Sequence, residues 1–184
     1  MNIAIIGLGY VGLPLCIEFG KIYNTIGYDK SKTKIDQYRL GFDPNGEVDS
    51  KDFLEAKLVK FTENSDDIKI ADIFIIAVPT PVDNDNTPDL TPLIEASKLV
   101  ALKMKPKSII VYEPTVYPGA TEDICVPILE NHSKLMWKKD FNIGYSPERI
   151  NPGDKERTLT KILKIVSADN ENKLKILSDI YSSL

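Results

Sequence analysis

MNIAIIGLGYVG, residues 1–12, decides how the rest of the chain reads. NIAII at 2–6 is a short apolar run of the kind required of a strand buried on both faces of a parallel sheet. It leads straight into Gly7-Leu8-Gly9-Tyr10-Val11-Gly12, a G-x-G-x-x-G, and then into LPLCIEFGKIY at 13–23, which predicts a helix. Each glycine has its own task. Gly7 allows a tight turn, Gly9 lets the backbone approach a pyrophosphate, and Gly12 lets helix and strand pack closely. The helix start then offers unpaired N–H groups and a positive dipole end to the phosphates. TIGY at 25–28 reads as a second strand and ends on Asp29, 17 residues after Gly12. A carboxylate there accepts both adenosine ribose hydroxyls and repels a 2′-phosphate, so the expected cofactor is NAD rather than NADP. The alternative at this level is a glycine turn in an α/β protein that binds nothing.

The 184 residues suffice for one full core. The composition, 42% hydrophobic and 27% charged, is that of a soluble protein, and the 23 basic and 27 acidic residues leave a net charge of −4. Neither a nucleic acid nor an anionic membrane is drawn to such a balance, so neither is expected as a partner. No apolar run approaches a membrane span, and Met1 opens directly on a core strand, so no signal peptide is expected and the chain reads as cytoplasmic. Cys16 and Cys125 lie far apart in helix-like segments and read as buried free thiols. No CxxC or HExxH occurs, and the single histidine, His132, reads as a solvated surface residue near a helix end, so no metal site is expected.

Strands and helices alternate along the whole chain. Ser31 is placed to cap a helix to about residue 40, with Ile35 and Tyr38 inward and Gly41 as the stop. Asp43-Pro44-Asn45-Gly46 is a turn cluster, a short helix is expected at 50–58, and 61–67 is a mixed polar stretch. DIFIIAV at 72–78 is the cleanest buried strand. Thr91 is expected to cap a helix to about 104, with Pro92 at its first position. SIIVY at 108–112 is a strand, 120–130 a helix, FNIGY at 141–145 a strand, KIVS at 164–167 one more, and 170–184 a final helix. This alternation predicts an α/β fold of Rossmann type, a doubly wound, mainly parallel sheet with helices on both faces. In such sheets ligands lie beyond the carboxyl ends of the strands, which gathers the loops at 7–12, 79–92, 113–119 and 146–154 on one rim.

Those same loops resemble the UDP-glucose/GDP-mannose dehydrogenase family, the nucleotide-sugar 6-dehydrogenases. GLGYVGLP at 7–14, VPTPVDNDNTPDL at 78–90 and YEPTVYPGATE at 112–122 match its motifs in order. YSPERINPGDK at 145–155, with KIVS after it, is similar to the branch that oxidises UDP-N-acetylhexosamines. UDP-glucose enzymes carry a PEFLREG-like stretch where this chain has Pro147-Glu148-Arg149-Ile150-Asn151-Pro152-Gly153; Pro152 replaces a second acidic side chain, which favours an N-acetylated sugar.

The resemblance implies a four-electron oxidation. The sugar C6 alcohol gives hydride to NAD+, a cysteine thiolate captures the aldehyde, and a second NAD+ oxidises the adduct to a thioester that water hydrolyses to the uronic acid. It implies cofactor contacts at Gly7, Gly9, Tyr10, Val11, Gly12, Asp29, Lys34, Thr80 and Thr115. Thr115 resembles a threonine that places a water or touches the nicotinamide. Glu148 resembles the glutamate base for thioester hydrolysis, and Glu148, Arg149, Ile150 and Asn151 resemble residues that hold the sugar. On residue type alone Thr115 is equally a turn residue and Glu148 a solvated loop carboxylate.

The family's nucleophile lies in a GGxCFPKD-like stretch beyond a long helix bearing a catalytic lysine and asparagine, and nothing in these 184 residues resembles either. The expectation is therefore that residues 1–184 are the N-terminal NAD-binding domain of a longer enzyme. A central helix and a C-terminal nucleotide-sugar domain lie outside it, the full-length protein is a homodimer, and its UDP-sugar product enters polysaccharide synthesis. Alternatives are a UDP-glucose 6-dehydrogenase, a non-catalytic NAD-binding module, and a two-domain dehydrogenase acting on hydroxy acids or sugar phosphates.

Overall fold

Strand β1 (Asn2–Ile6) is bonded on both sides, to β2 (Asn24–Tyr28) and to β4 (Ile73–Ile76), and both neighbours run parallel to it. This computed structural model describes residues 1–82, 85, 87–148 and 162–184. The sheet has seven strands in the order β3-β2-β1-β4-β5-β6-β7, adding β3 (Val59–Thr62), β5 (Ile109–Tyr112), β6 (Asn142–Tyr145) and β7 (Ser167–Ala168). Every pairing is parallel except β6 with β7. The doubly wound, mainly parallel fold expected from the sequence is the fold observed.

Alternation along the strands builds two cores. Ile3 and Ile5 of β1, with Ile73 and Ile75 of β4, face α1 (Gly12–Ile22), α2 (Lys32–Arg39), α3 (Ser50–Glu55) and α6 (Glu171–Tyr181). Ala4, Ile6, Phe74 and Ile76 point the other way, to α4 (Thr91–Ala101) and α5 (Val126–Ser133). Cys16 belongs to the first core and Cys125 to the second, so both are buried free thiols with the sheet between them. His132 is exposed in the last turn of α5, as expected.

Several elements differ from expectation, each for a local reason. β3 was not legible as a strand: it is a four-residue edge piece with Lys60 outward, and its pairing to β2, Thr25↔Val59 through Tyr28↔Thr62, sets it. The helix before it ends at Glu55, and the polar stretch after it closes into a 3-10 turn at Ser65–Ile70. Thr91 does not cap α4. It is the first helical residue, and its N–H is held by Asp89 Oδ1 at 2.9 Å. Residues 121–125 form a wide π turn before α5, and Pro127, with no N–H to return, falls just beyond the join. The strand expected at 164–167 is shorter and shifted. Asp169 accepts from Ile143 N–H (2.7 Å), Asn142 Nδ2 (3.0 Å) and Trp137 Nε1, which pins Ser167–Ala168 against β6, while Lys164 turns inward.

The first core also reaches the glycine turn. Tyr38, almost fully buried on α2, donates its hydroxyl to the carbonyl of Leu8 at 2.8 Å. Burial, with Asp43 and Asp29 nearby, pushes this phenol up, so it remains a donor. Tyr38→Phe leaves that carbonyl unmatched, and we expect a loss of about 1–3 kcal/mol in urea unfolding with the circular dichroism of the native fold retained.

Candidate functional site

The carboxyl ends of β1, β4, β5 and β6 open on a cleft of about 640 Å³. Its wall is made by residues 7–11, 77–81 and 113–115, with Asp29, Lys34 and Glu148. It lies where β1 and β4 part, the reversal point of the strand order at which open α/β sheets bind ligands. Of the four expected rim loops, the starts of three and Glu148 of the fourth reach it.

The glycine turn is held by its surroundings. Gly7 has φ +91° and donates its N–H to Tyr28 O at 2.9 Å, so a side chain there would be strained. A Cβ on Gly12 would collide with the carbonyl oxygen of Gly7, which is the close helix–strand approach read from the sequence. Gly9 differs from both. Nothing lies within 4 Å of where its Cβ would be and its φ is ordinary, so the fold does not require glycine there. Open space over the turn is what a bound phosphate group would need. Helix α1 starts at Gly12 with neither a side-chain cap nor an acidic residue in its first turn, which leaves its orphan N–H groups to a ligand.

Asp29 closes the turn from the side. Its Oδ2 accepts the N–H of Leu8 at 3.0 Å and its Oδ1 accepts that of Ser31 at 2.9 Å. A carboxylate has about four lone-pair sites, so each oxygen keeps one for a further donor. Ser31 also caps α2 by accepting from Lys34 N–H at 3.4 Å, and Lys34 Nζ stands 3.7 Å from Asp29 Oδ2. Tyr10 is exposed at the mouth, and Val11 is buried. On the far wall, Thr80 Oγ1 donates to the carbonyl of Thr115 at 3.1 Å, joining two of the loops expected on one rim. The N–H of Glu148 donates to Glu113 O at 3.1 Å, which brings the end of β6 to the same wall. Arg149, Ile150 and Asn151 lie outside the described residues.

Sequence reasoning missed three residues behind this wall. Glu113, the first residue after β5, is 1% exposed; Lys164 Nζ lies 2.5 Å from its Oε2, and the Tyr181 hydroxyl donates to its Oε1 at 2.5 Å. A charged residue directly after the apolar run IIVY was the available signal. A second hollow of about 540 Å³, against β6 and β7, is lined by Trp137, Tyr145 and Asp169 among others and holds none of the expected site residues.

Neither thiol belongs to the cleft. Burial pushes both Cys16 and Cys125 up from the ordinary thiol range, and neither lines the wall. Both are therefore poor candidates for a nucleophile.

Comparison with known proteins gives this geometry its context. Residues 1–184 match the family model described as "UDP-glucose/GDP-mannose dehydrogenase family, NAD binding domain". The chain is 49% identical to protein CapL of Staphylococcus aureus, covering 100% of this chain and 43% of that one. It is 45% identical to the UDP-N-acetyl-D-glucosamine 6-dehydrogenase of Pseudomonas aeruginosa, covering 100% and 44%. Among solved structures, the UDP-D-ManNAc dehydrogenase of Pyrococcus horikoshii superposes with TM-score 0.87 at 33% identity, covering 100% of this chain and 44% of that one. The chain thus spans less than half the length of the curated relatives it matches.

Two glycine substitutions separate the turn's structural and ligand-binding roles. Gly12→Ala should destabilise the fold through its clash with the Gly7 carbonyl. Gly9→Ala should leave the melting temperature unchanged, yet weaken NADH binding by roughly tenfold or more, a loss of about 1.4 kcal/mol by fluorescence titration. Unchanged NADH affinity in Gly9→Ala would show that the open space is not the cofactor's.

Proposed function

We propose that this chain, which belongs to the UDP-glucose/GDP-mannose dehydrogenase family, is the NAD-binding domain of an enzyme oxidising a UDP-N-acetylhexosamine at C6 to the uronic acid. NAD is the cofactor. The observation that carries the reading is the cradle at the end of β1: an uncapped helix start, open space above Gly9, and Asp29 with lone pairs to spare.

Each residue then has a task that its position suits. Gly7, Gly9 and Gly12 keep the backbone close to the pyrophosphate, and Val11 and the start of α1 present N–H groups to it. Asp29 accepts the adenosine ribose hydroxyls, with Lys34 at the edge of that pocket and Tyr10 beside the mouth. Thr80, through its bond to the Thr115 carbonyl, holds the nicotinamide side of the cleft in register. NAD held in this cradle would supply the hydride acceptor for oxidation at C6. Thr115 places a water or the nicotinamide, and Glu148, tied by its N–H to β5, is the base that activates water for the final hydrolysis. Glu148, Arg149, Ile150 and Asn151 form the sugar-holding stretch.

The preference for an N-acetylhexosamine over UDP-glucose rests on the motif at 145–155 and on the names of the relatives, among them UDP-N-acetyl-D-glucosamine and UDP-N-acetyl-D-mannosamine dehydrogenases. The burial of both thiols supports placing the nucleophilic cysteine, with the rest of the substrate site, outside residues 1–184. The full-length enzyme is then a cytoplasmic homodimer supplying polysaccharide synthesis. Among the described residues, no helix is long and apolar enough to cross a membrane.

The test is turnover by the full-length enzyme with UDP-N-acetylglucosamine, UDP-N-acetylgalactosamine, UDP-N-acetylmannosamine and UDP-glucose, following NADH and product by mass. We expect two NADH per uronic acid with an N-acetylated sugar and little with UDP-glucose. A single NADH per sugar, or a preference for UDP-glucose, would contradict the reading. Glu148→Gln should lower kcat by about 10²–10⁴-fold, the usual scale for loss of a general base, with NAD affinity kept.

A further inference from the structure

Glu113, Lys164 and Tyr181 come from three distant segments and meet behind the wall that carries Thr115 and Glu148. Lys164 has a 6% exposed side chain, and Tyr181, on α6, is buried. The Glu113 backbone is equally committed. Its N–H donates to Ile76 O of β4 at 3.0 Å, and its carbonyl accepts the Glu148 N–H at 3.1 Å. The buried Ser146 hydroxyl adjoins that of Tyr181, two residues before Glu148.

An ion pair is a poor choice for holding a fold together, because taking both charges out of water costs as much as their attraction returns. Apolar residues of similar volume commonly do as well or better. The location gives the charges another use. Glu148 lies close enough to Glu113 and Tyr181 to add a small upward push to both groups, behind the larger effect of burial. Burial pushes the Glu113 carboxyl up, against the opposing pull of Lys164 and the Tyr181 hydroxyl. Glu113, just after β5, and Tyr181, on α6, are thus ionisable groups that meet Glu148, with Lys164 bound to Glu113 from the approach to β7.

We propose that Glu113, Lys164 and Tyr181 are positioning residues for Glu148. The carbonyl of Glu113 fixes the Glu148 backbone, and the Lys164 charge balances that of Glu113 at the back of the cleft. Tyr181 orients the Glu113 carboxylate and carries the constraint into α6. The inference rests on the reading of Glu148 as the hydrolytic base, and it adds a role for a buried pair that an apolar filling would not supply.

The test is the pH dependence of kcat in the full-length enzyme with its preferred UDP-sugar. Glu113→Gln keeps the shape and the hydrogen-bond acceptor but leaves the Lys164 cation unbalanced beside Glu148. That cation favours the carboxylate, so the acidic limb of the profile should move to lower pH by roughly one unit. Adding Lys164→Met removes the excess charge, and the limb should return to its wild-type position even though the double variant is the more altered protein. Should Glu113→Gln fail to fold, as judged by thermal unfolding, Tyr181→Phe tests the positioning role instead: kcat should fall roughly severalfold with the KM values for NAD and the UDP-sugar kept, and an unchanged kcat would overturn the proposal. A limb that stays in place in Glu113→Gln, or stays displaced in the double variant, would overturn the proposal. Glu148→Gln distinguishes the two levels. If it abolishes the limb while the pair variants leave it unmoved, only the positioning role falls; if it retains the limb, the base assignment falls and the positioning role with it.

Discussion

The hydrogen bond from the Leu8 amide to the Asp29 carboxylate is the contact on which the rest of the site depends. It joins the turn after β1 to the end of β2, across strands paired in parallel register from Asn2↔Asn24 to Ile6↔Tyr28. With Gly7 N–H on Tyr28 O and Tyr38 on Leu8 O, the turn is gripped from three directions, so its outward amides are held in place before any ligand arrives. Such preorganisation reduces what binding must spend on ordering. In the proposed complex the same carboxylate meets the adenosine ribose, where its negative charge would weigh against a 2′-phosphate. Lys34 offsets that only in part, because at 3.7 Å and partly exposed it is a weak partner.

From that corner the cleft follows the sheet. β1 and β4 diverge at their ends, the loops after β4 and β5 are tied together by Thr80 and Thr115, and the end of β6 is tied to β5 through Glu148 and Glu113. The wall at Thr80 and Thr115 and the wall at Glu148 are therefore joined in one hydrogen-bonded unit. Its deepest member is the Glu113 carboxylate paired with Lys164 and Tyr181, a costly way to fill a core; on the proposal that Glu148 is the hydrolytic base, the pair sets the field beside it.

What the sequence reveals follows the range of each interaction. The glycine turn, Asp29 and the buried runs of β1, β4 and β5 are local patterns, and each lies where the residues place it. β3 is not legible, because a four-residue edge strand with an outward lysine carries no apolar run of its own. β7 is displaced because Asp169, through bonds to Asn142, Ile143 and Trp137, decides where the strand sits. The ring of Glu113, Lys164 and Tyr181 is assembled over separations of 51 and 68 residues, which no spacing rule reaches. The helix start at Thr91 is a smaller case of the same kind, set by Asp89 rather than by the threonine itself.

The corner formed by Gly7, Gly9, Gly12 and Asp29 is proposed to hold the adenosine and pyrophosphate of NAD. Fluorescence titration of the protein with NADH and NADPH, repeated with Asp29→Arg, tests it most directly. We expect NADH to be preferred over NADPH in the wild type, and in the variant a weaker NADH complex with a gain for NADPH. Equal binding of the two cofactors by the wild type, or NADH affinity unchanged by Asp29→Arg, would contradict it.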